Sequence, residues 1–198
     1  MSVERVIWNK FKIQRGWDSL PLIGTGSRDL LPELFQELGY KYGAEVGVRK
    51  AEYSEIICKA MPGVKLVCID PWSAYRGADG TKAGPDRQEK YYQYCQKKLS
   101  AYDVKFLRMT SEEALKEVPD NSLDFVYIDA IHDFDSVAMD IISWTKKVKA
   151  GGIISGHDYY HYHHFGVIEF VDAYTRAHNI QQWYVTGEGD PSWFWQKK

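Results

Sequence analysis

Leu123-Asp124-Phe125-Val126-Tyr127-Ile128-Asp129-Ala130-Ile131-His132-Asp133 is a short β-rich run ending in charged and imidazole side chains. Phe134, Val137, Ile141, Trp144 and Val148 follow at helical spacing, and Gly151-Gly152-Ile153-Ile154-Ser155-Gly156-His157-Asp158-Tyr159 is a second such run. Strand, helix and strand in that order predict parallel strands over Leu123–Asp129 and Gly152–His157 joined by a crossover helix. The same alternation extends upstream, with strands expected at Gly43–Val48, Val64–Asp70 and Val104–Arg108 and a helix carrying Leu30, Leu31, Leu34, Phe35 and Leu38. Downstream, Ile168, Val171 and Tyr174 mark one more helix, and Ile180–Thr186 and Ser192–Gln196 flank Gly187-Glu188-Gly189-Asp190-Pro191, which reads as a hairpin. The fold class is therefore α/β, a Rossmann-like sheet of seven mostly parallel strands with helices on both faces.

The length of 198 residues is that of one domain, and 44% hydrophobic and 15% aromatic residues are enough to fill its core. Residues 1–27 form an N-terminal extension of undecided structure. Residues 71–86, with Gly77, Gly80, Gly84 and Pro85, read as a long lid or substrate loop. With 25 Lys and Arg against 27 Asp and Glu the net charge is −2, which disfavours a nucleic-acid partner; that class would need Lys82, Arg87, Lys90, Lys97 and Lys98 gathered on one face. Cys58, Cys68 and Cys95 have no CxxC spacing and so point neither to a disulfide framework nor to structural zinc. The chain has no apolar run of membrane-spanning length, and a cytoplasmic location is the expectation.

Ligands of open parallel sheets sit beyond the carboxyl ends of the strands. The first end offers Glu45 and Gly47, a carboxylate beside a residue that permits a tight turn. The second offers Asp70, placed to take the hydroxyls of a ribose, although Asp70-Pro71 is also a plain strand-ending turn. Val48, Arg49 and Lys50 stand where a GxGxxG would continue, so the pyrophosphate cradle of a dinucleotide is missing and a phosphate-free nucleoside such as S-adenosylmethionine fits better. At the third end, Thr110-Ser111-Glu112-Glu113 fits a capping box, and Ser111 or a backbone N–H there could still meet a base edge. The fourth and fifth ends bring Asp129, His132, His157 and Asp158 to one edge. That set suits deprotonation of a hydroxyl by His132, or an oxygen-loving divalent cation on Asp129, His157 and Asp158. The alternatives are that Asp129 and His132 cap the following helix and that His157 packs at a strand end.

At these residues the sequence resembles the class I S-adenosylmethionine-dependent methyltransferases, in particular a small group with I-D-x-x-H after the fourth strand and G-G-x-x-x-x-H-D-Y at the fifth. The matching stretches are Ala44–Ala51, Val67–Pro71, Leu123–His132 and Val148–Tyr159, with Pro191–Trp195 closing the last strand. The resemblance implies a strand order of 3-2-1-4-5-7-6 with strand seven antiparallel. It implies S-adenosylmethionine as cofactor, held by Glu45, Val46, Gly47, Asp70, Pro71, Trp72, Thr110, Ser111, Glu112 and Asp129. It places Asp129 under the methyl group; the expected catalytic group is Asp129, His132 and Asp158, with His132 as base and the two aspartates as metal ligands or orienters, and a divalent metal is left open because His157-Asp158 replaces the paired aspartates of metal-dependent relatives. Ala51 stands where many relatives have a further glycine. The expected activity is O-methylation of a small hydroxylated acceptor such as a sugar or natural product. A dinucleotide-dependent oxidoreductase and a non-catalytic nucleoside-binding or scaffold domain are the rivals. The tract Tyr159–Phe165 reads as an aromatic acceptor wall, with metal binding by His161, His163 and His164 as the lesser alternative.

Overall fold

The computed structural model describes residues 2–13, 21–76 and 80–198. Its elements run α1 (Val3–Phe11), β1 (Leu22–Ile23), α2 (Leu30–Glu37), β2 (Tyr42–Val46), α3 (Glu52–Ala60), β3 (Lys65–Ile69), β4 (Tyr75–Arg76), β5 (Lys82–Ala83) and α4 (Pro85–Lys98). They continue with β6 (Val104–Leu107), α5 (Ser111–Ala114), β7 (Leu123–Ile128), α6 (Phe134–Lys147), β8 (Val148–Gly156), α7 (Val167–Ala177), β9 (Trp183–Val185) and β10 (Trp193–Gln196).

The main sheet has the order β1-β9-β10-β8-β7-β2-β3-β6. Neighbours are parallel except at β10, which runs antiparallel to both β8 and β9. The seven strands expected from sequence thus occur in the expected order. The count is corrected to eight, because Leu22 and Ile23 pair with Tyr184 and Val185 and make the N-terminal segment the edge of the sheet. A second correction concerns residues 71–86, which contain a two-stranded ribbon, with Tyr75 opposite Ala83 and Arg76 opposite Lys82; Gly77 lies outside the described residues.

Alternation along β7 shows how the layers form. Phe125 and Tyr127 belong to the core under α1, α2 and α3, whereas Val126 and Ile128 belong to the core under α6 and α7. Phe125 stacks on Phe35 of α2 with ring centroids 4.3 Å apart. Gly43 on β2 makes the space for it, since a Cβ there would lie 2.1 Å from the Phe125 ring. With both faces covered, the carboxyl ends of β3, β2, β7 and β8 share one edge. Backbone bonds stitch that edge together beyond the strands, from Gly47 N–H to the Ile69 carbonyl (2.8 Å), Asp129 N–H to Val46 (2.7 Å) and His157 N–H to Ile128 (3.0 Å). Among the described residues no helix is long and apolar enough to cross a membrane.

Candidate active site

The β2–α3 turn is built against the end of β7. Gly47 has φ +92°, and a Cβ on it would lie 1.9 Å from the Asp129 carbonyl oxygen. The glycine read from sequence as room for a ligand is therefore required by backbone packing as well. That contact places the first strand end directly beside the fourth. Asp70 braces the turn from the other side. Its Oδ2 accepts from the N–H groups of Val48 (3.1 Å) and Arg49 (2.8 Å), and its Oδ1 from Trp72 N–H (2.7 Å). Burial raises its pKa against the pull of those three donors. Oδ1 keeps a lone pair for a further donor such as a ribose hydroxyl.

Glu45 is 2% exposed and points into the α3 side of the sheet, where the Ser54 hydroxyl donates to it. Burial pushes its carboxyl up to about 8, against the Ser54 bond. Val46 and Trp72 are core residues, the Trp72 indole donating to the Arg49 carbonyl at 3.0 Å. Pro71, Thr110 and Glu112 are exposed along the same edge.

Thr110 and Glu113 form the full capping box of α5. The Ser111 hydroxyl is occupied too, since it donates to Asp140 and accepts from Trp144 Nε1 at 2.8 Å. Asp140 is 2% exposed, and burial pushes it up to about 6.

Asp129, His132 and Asp158 form the core of an acid–imidazole cluster. One ligand atom from each lies within 4.8 Å of the others. His132 Nε2 is 3.3 Å from Asp129 Oδ1 and 2.9 Å from Asp158 Oδ2. His157 joins at the periphery, its Nδ1 3.0 Å from Asp158 Oδ1 and 3.8 Å from Asp129 Oδ2. The helix-capping alternative does not hold, because Asp133 supplies the N-cap of α6 through a 3.0 Å bond from Ser136 N–H. Burial works against a charge on His132, but its bonds to Asp129 and Asp158 win and push it up to about 10. For His157 burial is likewise outweighed by Asp158 and Asp129, so its pKa rises. Burial would raise Asp158, yet the two imidazoles hold it well below the usual carboxylate range. In this arrangement the His132 imidazolium is favoured at neutral pH, and in that state the ring donates and does not accept. His161, by contrast, is 78% exposed in its side chain and faces Glu169, apart from this cluster.

One residue escaped the sequence reading. Arg28 lies in the turn leading into α2, and its Nη1 is 3.4 Å from Asp129 Oδ2 and 3.5 Å from the Tyr127 hydroxyl. Burial opposes its charge, but Tyr127 and Asp129 raise its pKa. The tract after β8 contributes Phe165, whose ring centroid is 4.6 Å from that of His132. Gly166 N–H bonds the His132 carbonyl at 2.8 Å.

Solved structures share this fold. An O-methyltransferase from Bacillus cereus in complex with SAH is 13% identical, with a TM-score of 0.61 over 99% of this chain and 90% of its own. A Klebsiella pneumoniae protein assigned as an O-methyltransferase is 12% identical, with the same TM-score and the same coverage of 99% and 90%. A Clostridium thermocellum protein assigned as an rRNA methylase is 10% identical, with a TM-score of 0.63 over 87% and 98%. A search of curated proteins finds no match. The family model described as a methyltransferase domain matches residues 44–159, more than half of the sequence, from the strand that carries Glu45 to the one that delivers Asp158. The chain accordingly belongs to the methyltransferase-domain family and is an S-adenosylmethionine-dependent methyltransferase of class I.

Proposed function

We propose that the protein transfers the methyl group of S-adenosylmethionine to a hydroxyl oxygen of a small acceptor presented to Asp129, His132 and Asp158. The observation that carries this reading is the contact between the Gly47 turn and the Asp129 backbone, which sets the cofactor side of the edge against the acid–imidazole cluster. The cofactor supplies an electrophilic methyl on a sulfonium, so the protein's task is orientation and removal of one proton. Glu45 would face the cofactor's ammonium and Asp70 its ribose. Asp129 would orient the acceptor hydroxyl and take its proton. His132, protonated between two carboxylates, would hold both in place and stabilise through its positive charge the oxygen on which negative charge develops. Phe165 and its neighbours in 159–165 would wall the acceptor space, and the ribbon within 71–86 would lie over the cofactor side.

The donor set of Asp129, His132 and Asp158, two hard oxygens and one imidazole, also fits a divalent cation. Such an ion would be held by those three side chains and would lower the pKa of the acceptor hydroxyl.

The test is binding followed by transfer. S-adenosylhomocysteine is expected to raise Tm where NADH does not. Radiolabel from the cofactor should pass to hydroxylated small molecules and not to RNA. A folded protein that ignores S-adenosylhomocysteine would overturn the reading.

A further inference from the structure

Arg28 is held by parts of the chain that are far apart in sequence. Its N–H donates to Glu188 Oε1 at 2.8 Å and its carbonyl accepts from the Tyr53 hydroxyl at 2.9 Å. Its guanidinium lies over the Tyr53 ring, with Cζ 4.9 Å from the centroid. The same Glu188 oxygen accepts from Thr186 Oγ1 at 2.9 Å, and Thr186 Oγ1 accepts from Ser192 N–H at 2.7 Å. Ser192 Oγ is 2.8 Å from the Tyr127 hydroxyl, to which Arg28 Nη1 returns. This closed ring fixes both the main chain and the side chain of one residue, and it draws on the β9–β10 connection to do so.

The guanidinium held in this way is not used up by its neighbours. Among the described residues its contacts to oxygen run through Nη1 alone, at 3.4 and 3.5 Å. A committed arginine–carboxylate pair is two-pronged and closes to roughly 2.7–2.9 Å. The side chain is 28% exposed, so the guanidinium is partly open to solvent and not sealed in the core. The carboxyl groups around this space are Asp129, which Arg28 contacts, Asp158 beyond it, and the buried Glu45, which feels both Arg28 and Asp129. Asp129 is shared by Arg28 and His132, and Asp158 by His132 and His157.

We propose that Arg28 is a specificity-determining residue of the acceptor side, binding an anionic oxygen group, carboxylate or phosphate, on an acceptor whose hydroxyl is presented to Asp129. The inference rests on the proposed function. Because Arg28 and Asp129 are in contact, the anion and the hydroxyl must lie close together on the acceptor, as in a compact hydroxy acid or hydroxy phosphate. The planar fork of arginine matches either group in a way that a lysine ammonium does not.

The test uses protein saturated with S-adenosylhomocysteine and two matched pairs of probes, 2-hydroxybenzoate against 2-hydroxybenzamide and glycerol 3-phosphate against glycerol. Calorimetry on the wild type should show at least one charged probe binding about tenfold or more tightly than its neutral partner. The pair that shows the preference identifies carboxylate or phosphate as the group read. In Arg28→Met the preference should fall below about twofold, with Arg28→Lys intermediate. Arg28→Lys serves alone if Arg28→Met does not fold. The inference is overturned if the wild type shows no charge preference, weak binding of every probe included, or if the variants keep the preference intact. Failure of the wild type to bind S-adenosylhomocysteine would instead overturn the proposed function.

Discussion

Glu45 and His132 carry opposite costs at the residue scale, and pH separates them. Glu45 ionises near 4.5 in the unfolded chain and near 8 when folded, so stability is lost as pH rises from about 4.5 to about 8. Glu45→Gln keeps the shape and the Ser54 contact without the buried charge. It should raise Tm, by more at pH 8 than at pH 5, while weakening S-adenosylhomocysteine binding. A lower Tm at pH 8 would contradict the assignment. His132 has its folded pKa near 10, above an ordinary value of 6.5, so its contribution is complete below about 6.5 and lost as pH rises through about 10. His132→Asn should therefore flatten the fall in Tm between pH 7 and pH 10, and an unchanged slope would argue against the bonds to Asp129 and Asp158. Asp129, His132 and Asp158 were legible in the sequence because parallel strands deliver their C-terminal residues to one edge. Arg28 was not, because its partners Tyr127 and Asp129 lie about a hundred positions away and no fixed spacing ties it to them. The only local sign was a charged residue in the turn-forming stretch Thr25-Gly26-Ser27-Arg28-Asp29 just ahead of an apolar helix.

Among the elements, the β2–α3 turn has the least freedom. Gly47→Ala would have to adopt φ +92° and push the Asp129 carbonyl away, so a loss on the order of 3 kcal/mol or more, or failure to fold, is expected in denaturant titration. A loss below about 1 kcal/mol would mean that the turn and β7 are not in contact. Phe125→Ala removes the ring that fills the space beside Gly43 and stacks on Phe35, at a cost of about 3–5 kcal/mol. Spacing revealed seven strands, the hairpin pair among them, because alternation and turn residues are local signals. The eighth strand was invisible for the same reason: Leu22 and Ile23 sit between Pro21 and Gly24, too short a run for any periodicity, and only pairing with Tyr184 and Val185 makes them a strand. The lid-like reading of 71–86 likewise missed the ribbon, whose strands are two residues each.

Across the whole molecule, the N-terminal segment and the β9–β10 connection meet beside Asp129 at the carboxyl edge of the sheet, so segments remote in sequence come together there. Removing residues 1–27 exposes Phe11 and Leu22 partners in the core and unties Gly24 and Gly26 from Val185 and Gly187. Such a truncation is expected to lose cooperative unfolding, and a truncated protein with the Tm of the full chain would show the segment to be an appendage. On the proposed function, the tips of β2, β3 and β7 hold an adenosine sulfonium with its methyl toward Asp129. A crystal structure with S-adenosylhomocysteine tests it most directly. The ribose is expected at Asp70 and the sulfur facing the Asp129–His132–Asp158 cluster, and a ligand bound away from that edge, or with its sulfur turned from Asp129, would contradict the account.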